Sequence, residues 1–222
     1  MESKISLLIA TILCALIPLT SPNVDTSSTT LYVNPPTTLT GAGKNFTISL
    51  DVAHVADLAG YNIYLGYNTT VLTATNIEVD GTWLTTGRTY TVWDKTINEV
   101  KGVVHVSLTL TGVEEGVTGS GDLIRIDFVA DAPGSSPLDT YNDTLVDPLF
   151  NAIPHSTIDG AVFVTIAGDI DGDGDVDSDD FYLFAGAYGS SPPSNPNCDI
   201  DNDGDVDSDD FYIFAGNYGK IA

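Results

Sequence analysis

From Asp169 the sequence reads DIDGDGDVDSDDFYLFAGAYG, and from Asp199 it reads DIDNDGDVDSDDFYIFAGNYG. Only three of twenty-one aligned positions differ: Gly172/Asn202, Leu183/Ile213 and Ala187/Asn217. Such near-identity marks an internal duplication, so each copy is expected to form one structural unit. Calcium takes six to eight oxygen ligands, and a twelve-residue loop supplies them from positions 1, 3, 5, 7, 9 and 12, with glycine at 6 for the sharp turn. In the first copy Asp169, Asp171, Asp173, the carbonyl of Asp175, Asp177 and Asp180 fall at those positions, around Gly174. In the second they are Asp199, Asp201, Asp203, Asp205, Asp207 and Asp210, around Gly204. Two calcium ions per chain are the expectation. Position 12 is Asp where Glu is usual, so the following helix must approach the ion more closely.

Each loop runs into a short amphipathic helix, and Ile166 to Gly168 carries no entering helix, so each unit is half of a helix-loop-helix hand. Phe181, Phe184 and Tyr188 share one helix face, matched by Phe211, Phe214 and Tyr218, and are expected to form the two helices' mutual core. This duplicated half-hand resembles a type I dockerin module from Gly168 to about Lys220. The resemblance implies calcium-dependent docking onto cohesin modules through loop positions 10 and 11. Those are Ser178 and Asp179 in one copy and Ser208 and Asp209 in the other. Asp179 and Asp209 stand where that family commonly has Ser or Thr. Because the copies are nearly identical, a half-turn would superpose one pair on the other and permit two docking orientations.

Charge narrows the partners. The 222-residue chain has a net charge of −24 with only seven Lys and Arg, which argues against nucleic acid and anionic membrane surfaces, both of which need basic patches. Beyond Gly168 fourteen Asp face one Lys, a module charge of −13, so folding there is expected to be coupled to calcium binding. Met1 to Leu19, with Lys4 ahead of the apolar run Ile5 to Leu19, reads as a secretory signal peptide cleaved within Thr20 to Ser28. A retained anchor is the alternative, although the run is short for a membrane span. The expected organisation is therefore a leader over 1–28, a sandwich over 30–166 and a calcium module over 168–222, in a secreted protein free of the membrane once the leader is removed. Cys14 leaves with the leader. Cys198 is then alone, and is read as a small packing residue rather than a bridge between chains.

Leu31 to Ile166 shows period-two alternation. Phe46, Ile48, Leu50 and Val52 alternate with polar or small neighbours, as do Tyr61, Ile63, Leu65 and Tyr67, then Val104, Val106, Leu108 and Leu110. Ile124, Ile126 and Phe128 follow, and finally Val162, Val164 and Ile166. Five strands that each have one apolar face require a second layer, which predicts a mainly β fold: an antiparallel sandwich or jelly roll followed by the small helical module. GKNFTISLDV, LAGYNIYLGYNTTVLTATNIEV, GSGDLIRIDFVA and STIDGAVFV, in that order, resemble a cohesin or the related carbohydrate-binding sandwiches. The resemblance implies nine strands and one sheet face that receives a dockerin.

Catalysis finds little support. His54, His105 and His155 are scattered, and Glu114 and Glu115 sit side by side in a Gly-flanked loop instead of facing each other across a cleft. His105 is expected on the outward side of its strand. Trp83 and Trp93, near Tyr90 and Tyr64, could form a stacking platform for a polysaccharide, or could simply be half-buried sandwich aromatics. Sequons at Asn45, Asn68 and Asn142 suit glycans on turns. Only Ala167 and Gly168 separate the last strand from the first calcium ligand, which favours binding in trans over folding back. The reading is a secreted, non-enzymatic assembly protein. It is either an adaptor that takes a cohesin-type or dockerin-type partner at each end, or a subunit that joins its own copies head-to-tail. The alternatives are a carbohydrate-binding protein attached to a complex by its dockerin, and a calcium-stiffened fibre or surface-layer subunit.

Overall fold

The computed structural model describes residues 28–221. The expected signal peptide, its expected cleavage range and Cys14 lie outside them, apart from Ser28. Among the described residues no helix is long and apolar enough to cross a membrane.

Twelve strands come first: β1 (Thr30–Asn34), β2 (Thr37–Gly41), β3 (Asn45–Leu58), β4 (Gly60–Gly66), β5 (Leu72–Glu78), β6 (Tyr90–Asn98), β7 (Val103–Leu110), β8 (Val117–Ala130), β9 (Gly134–Val146), β10 (Ala152–Ile153), β11 (Ser156–Ile158) and β12 (Gly160–Thr165). Two helices follow, α1 (Ser178–Ala187) and α2 (Ser208–Asn217), with a 3-10 turn at Pro196–Cys198 between them. One sheet runs β11-β1-β3-β8-β5, and the other runs β2-β12-β9-β4-β7-β6 with β10 beside β9. The alternating residues decide which faces meet. Ile48, Leu50, Tyr61, Ile63, Leu65, Val104, Val106, Leu108, Ile124, Ile126, Phe128 and Val162 are all buried in one core between the sheets.

Two expectations need correction. The sandwich is not wholly antiparallel, because β1 pairs with β11 and β2 with β12 in parallel. Pro35 and Pro36 lack the N–H that a ladder requires, so the chain breaks after Asn34 and crosses to the other sheet, giving two short strands in place of one. With β10 and β11 also short, the count exceeds the nine implied by resemblance. The second correction concerns Ile166. β12 ends at Thr165, and Ile166 packs into a separate core with Ile170, Val176, Phe184, Ala187, Cys198, Ile200, Val206 and Phe214. The C-terminal module therefore borrows its first apolar residue from the end of the strand.

Cys198 is fully buried in that second core, and burial pushes its thiol up to about 11. It packs as expected of a small hydrophobe. The two repeats are also tied to each other. Gly189 N–H donates to the Val206 carbonyl (2.7 Å) and Val206 N–H to Ser190 (3.0 Å), while Gly219 N–H donates to Val176 (2.7 Å) and Val176 N–H to Lys220 (3.0 Å). Each helix thus ends on the other repeat's loop, an arrangement with approximate twofold symmetry.

Candidate functional site

Each acidic loop closes through its own backbone. Asp169 accepts from Gly172 N–H (2.8 Å) and Gly174 N–H (3.2 Å), which wraps the chain around the first carboxylate. Asp180 is buried and accepts from Ile170, Asp171 and Asp177 N–H, and Asp210 repeats this with Ile200, Asp201 and Asp207. Asp177 and Asp207 cap the helices, and each forms a reciprocal capping box with the Asp three residues on. A ten-residue helix is marginal alone, so these caps and the packing between the repeats set both helices.

The carboxylates converge unequally. In the first loop Asp169, Asp171 and Asp180 form one cluster and Asp175, Asp177 and Asp180 another, with Asp173 outside both. In the second loop Asp199, Asp201 and Asp203 come together, while Asp205, Asp207 and Asp210 do not join them. Burial pushes Asp169 above the ordinary carboxylate range, and burial with the neighbouring Asp173, Asp177 and Asp180 does the same to Asp175. The Asp203 charge is the first cause for Asp205. Spacing gave position 7 only a carbonyl role. Yet Asp175 and Asp205 each bury a carboxylate oxygen, Oδ1, that has no hydrogen-bond partner. Crowded carboxylates with orphaned oxygens are an all-oxygen donor set, and the residues fit a hard divalent cation such as calcium.

The helices present what the loops position. Ser178, Asp179, Ser208 and Asp209 are all exposed at the helix starts. Phe184 and Phe214 are buried and stacked, with ring centroids 5.6 Å apart. Phe181 lies 6.1 Å from Phe214 and Phe211 lies 6.0 Å from Phe184, again as a symmetric pair. The expected mutual core is narrower than its six rings, because Phe181, Tyr188, Phe211 and Tyr218 remain substantially exposed. Tyr182 and Tyr212, at 73% and 72% exposure, project to solvent.

The two sheets have unlike outer faces. On the five-stranded sheet, Asp127 accepts from Thr47 Oγ1 (2.6 Å) and Asn76 Nδ2 (3.0 Å), and Arg125 pairs with Asp122 (2.6 Å). These polar groups pair among themselves. On the larger sheet Tyr64 stacks on His105 (3.9 Å) and on Tyr141 (5.6 Å), across three adjacent strands. His105 faces outward as expected, held by Asp94 (3.0 Å) and Asn62 (2.9 Å). Trp93 stands on β6 at 69% exposure, its indole N–H donating to Thr109 Oγ1 (2.8 Å).

The four aromatics that could form a platform or be half-buried sandwich rings are dispersed. Trp83 is half-buried against β8, where a Cβ on Gly121 would come within 2.2 Å of its ring, and Tyr90 packs against the main core. Trp83 and Trp93 share no ring contact among the described residues, and Tyr64 joins His105 and Tyr141 instead.

The family model of the cohesin domain matches residues 31–164. The chain belongs to the cohesin family. The cohesin domain also resembles solved structures in fold. A non-cellulosomal cohesin from the archaeon Archaeoglobus fulgidus is 16% identical over 62% of this chain and 91% of its own, with a TM-score of 0.51. The Coh-OlpC–Doc435 type I cohesin–dockerin complex from Clostridium thermocellum gives 14% identity, 62% and 93% coverage and a TM-score of 0.52. CaCohA2 from Clostridium acetobutylicum gives 16%, 62%, 90% and 0.51. No curated relative matches the chain. Cohesin domains are non-catalytic protein–protein assembly modules that bind dockerins. In this cohesin the residues that sequence reasoning missed are His105 and Tyr141, which with Tyr64 form the ring row. Alternation placed Tyr64 and His105 within their strands, but only the pairing of β9 with β4 and of β4 with β7 makes the three rings neighbours.

Proposed function

We propose that this chain is a secreted, non-enzymatic assembly protein with a docking element at each end. The cohesin sandwich receives a dockerin-type partner on the outer face of β9-β4-β7-β6. The C-terminal repeats form a dockerin that calcium orders, and Ser178, Asp179, Ser208 and Asp209 meet a cohesin-type partner. The observation that carries this reading is one chain joining a cohesin domain to two near-identical aspartate loops, each of which buries an orphaned carboxylate oxygen. Asp169, Asp171, Asp173, Asp175, Asp177 and Asp180 would hold one ion, and Asp199, Asp201, Asp203, Asp205, Asp207 and Asp210 the other. Bound calcium supplies the positive charge that lets these carboxylates crowd together. The chain's own contribution is to aim them by backbone hydrogen bonds and to cap each helix so that its start stays exposed.

The choice of sheet face rests on its chemistry. Exposed aromatics, here Trp93 and Tyr141, are what a protein interface uses as anchors, whereas on the opposite face Asp127, Thr47, Asn76, Arg125 and Asp122 pair among themselves. The ring row also bears on the polysaccharide alternative. A sugar stacks on an open ring face, and Tyr64 lies stacked between His105 and Tyr141, so neither of its faces is open to a sugar. Trp93 is the one exposed indole that favours glycan binding, and a polysaccharide pull-down lost on Trp93→Ala would support that second reading.

The test is a calorimetric titration of calcium into the full chain, followed by sedimentation with calcium and with chelator. Two ions per chain, and helical signal lost on chelation, are expected. Uptake of fewer ions, or indifference of the helices to chelator, would refute the dockerin reading. Calcium-dependent growth in sedimentation would identify head-to-tail self-assembly, and a calcium-loaded monomer would identify an adaptor.

A further inference from the structure

The two repeats share every ligand position, and their fourth positions, Gly172 and Asn202, both have a left-handed backbone (φ 81° and 62°) that glycine and asparagine adopt readily. Nothing inside the module therefore distinguishes these two residues. The sandwich does. A Cβ at Gly172 would lie 3.1 Å from Leu39 Cδ2 on β2, tight enough that the leucine would have to give way. Asn202 instead uses its side chain, donating from Nδ2 to the Gly43 carbonyl in the turn after β2 (2.9 Å). A second difference follows the same line. Ala187 is buried within the module, whereas its counterpart Asn217 lines a cleft with Lys220 and Ile221 that Ala42 and Pro133 of the sandwich close. Beside these contacts the half-buried Lys44 donates to the Pro196 carbonyl (3.2 Å), between the two loops in sequence.

We infer that the segment Leu39 to Lys44 is a seat for the chain's own repeat module, and that Gly172 and Asn202 differ because each meets that seat differently. The seat takes the calcium-loop side of both repeats and leaves Ser178, Asp179, Ser208, Asp209, Tyr182 and Tyr212 exposed. The module is then carried as one body with the sandwich, its helix starts turned outward at a fixed angle to the aromatic sheet face. Lys44 adds a cation to the contact. Burial lowers its ammonium below the ordinary range, and the Asp199, Asp210 and Asp201 carboxylates pull it back up. The inference stands on contacts between protein groups. Only its consequence for assembly, a set angle between successive partners, rests on the function proposed above.

The test exchanges the two fourth-position residues in the full chain, Gly172→Asn together with Asn202→Gly, which keeps both ligand sets and the overall composition. Backbone relaxation of the wild-type chain in calcium is expected to give one common tumbling time for residues 30–165 and 169–221. The exchanged chain is expected to lose that common value, with the module tumbling faster than the sandwich. Calcium affinity of the second loop should then fall roughly two- to tenfold, through linkage to the lost hydrogen bond. If the exchanged chain does not fold, Lys44→Gln is read in the same way. Independent tumbling in the wild type, or common tumbling unchanged by the exchange, would overturn the seat. A chain that takes up no calcium fails the docking reading yet still reports, by its relaxation, whether the module rides with the sandwich.

Discussion

Asp127 shows how a single side chain can fasten three strands of a sheet together. Thr47 and Asn76 donate to it from the two flanking strands, and these hydrogen bonds hold its carboxyl below the ordinary range. A carboxyl whose folded pKa is depressed contributes stability above its unfolded value, near 4, and loses it as pH falls through the folded value. Resistance of the wild type to urea should therefore fall as pH drops below about 4, and Asp127→Asn should flatten that part of the profile. Gly121 makes the opposite kind of demand, for empty space. Because Trp83 occupies the volume a Cβ would need, Gly121→Ala should cost about 1–3 kcal/mol, read as a drop in melting temperature. Residues of these two kinds differ in legibility. Asp169, Asp180 and their repeats could be found from spacing alone, since loop geometry is local. Trp83 is open in the sequence to two readings, a stacking ring or a half-buried sandwich aromatic, because nothing near it announces the glycines of β8 that receive it, and the structure half-buries it.

Among the elements, β3, β4, β7, β8 and β12 are visible in the sequence as alternating runs, and their inward residues are the ones buried. β2, β10 and β11 are short and largely exposed, so they carry no apolar period and are set by partners distant in sequence. The helices lie between these cases. Their apolar period announces them, but only packing shows that Phe184 and Phe214 carry the contact while the flanking rings stay open. Phe184→Ala should therefore cost about 3–5 kcal/mol and melt the module while leaving the sandwich's transition in place, a difference that calorimetric scanning resolves. Substitution of Phe181, which is 42% exposed, should cost less. The matched exposure of both helix starts carries a further expectation. Replacing Ser178 and Asp179 together should change affinity for a cohesin partner by less than a factor of about three if either repeat can dock, and titration calorimetry would show a much larger loss if only the first can.

At the scale of the molecule, the alternating runs and the aspartate repeats distinguish a sandwich from an acidic module, with a short link expected between them. The sequence could not show that Ile166 crosses from strand to module core, because its neighbours there are set by how the two repeats pack, or that β2 and the turn after it meet the two loops, because those contacts join residues more than a hundred positions apart. With the module at −13 before any ion binds, added monovalent salt should partly stabilise the calcium-free chain by screening, and the effect should shrink once calcium is present. Circular dichroism across a salt series with and without chelator measures this. The reciprocal hydrogen bonds from Gly189 and Val206 and from Gly219 and Val176 have a separate consequence. Since each helix ends on the opposite loop, neither repeat has a complete set of partners until both are formed. On the calcium reading proposed above, half-loaded chains should therefore divide into wholly ordered and wholly melted molecules, and the module would then act as a threshold device that answers a gradual rise in calcium with a step in the number of chains able to join.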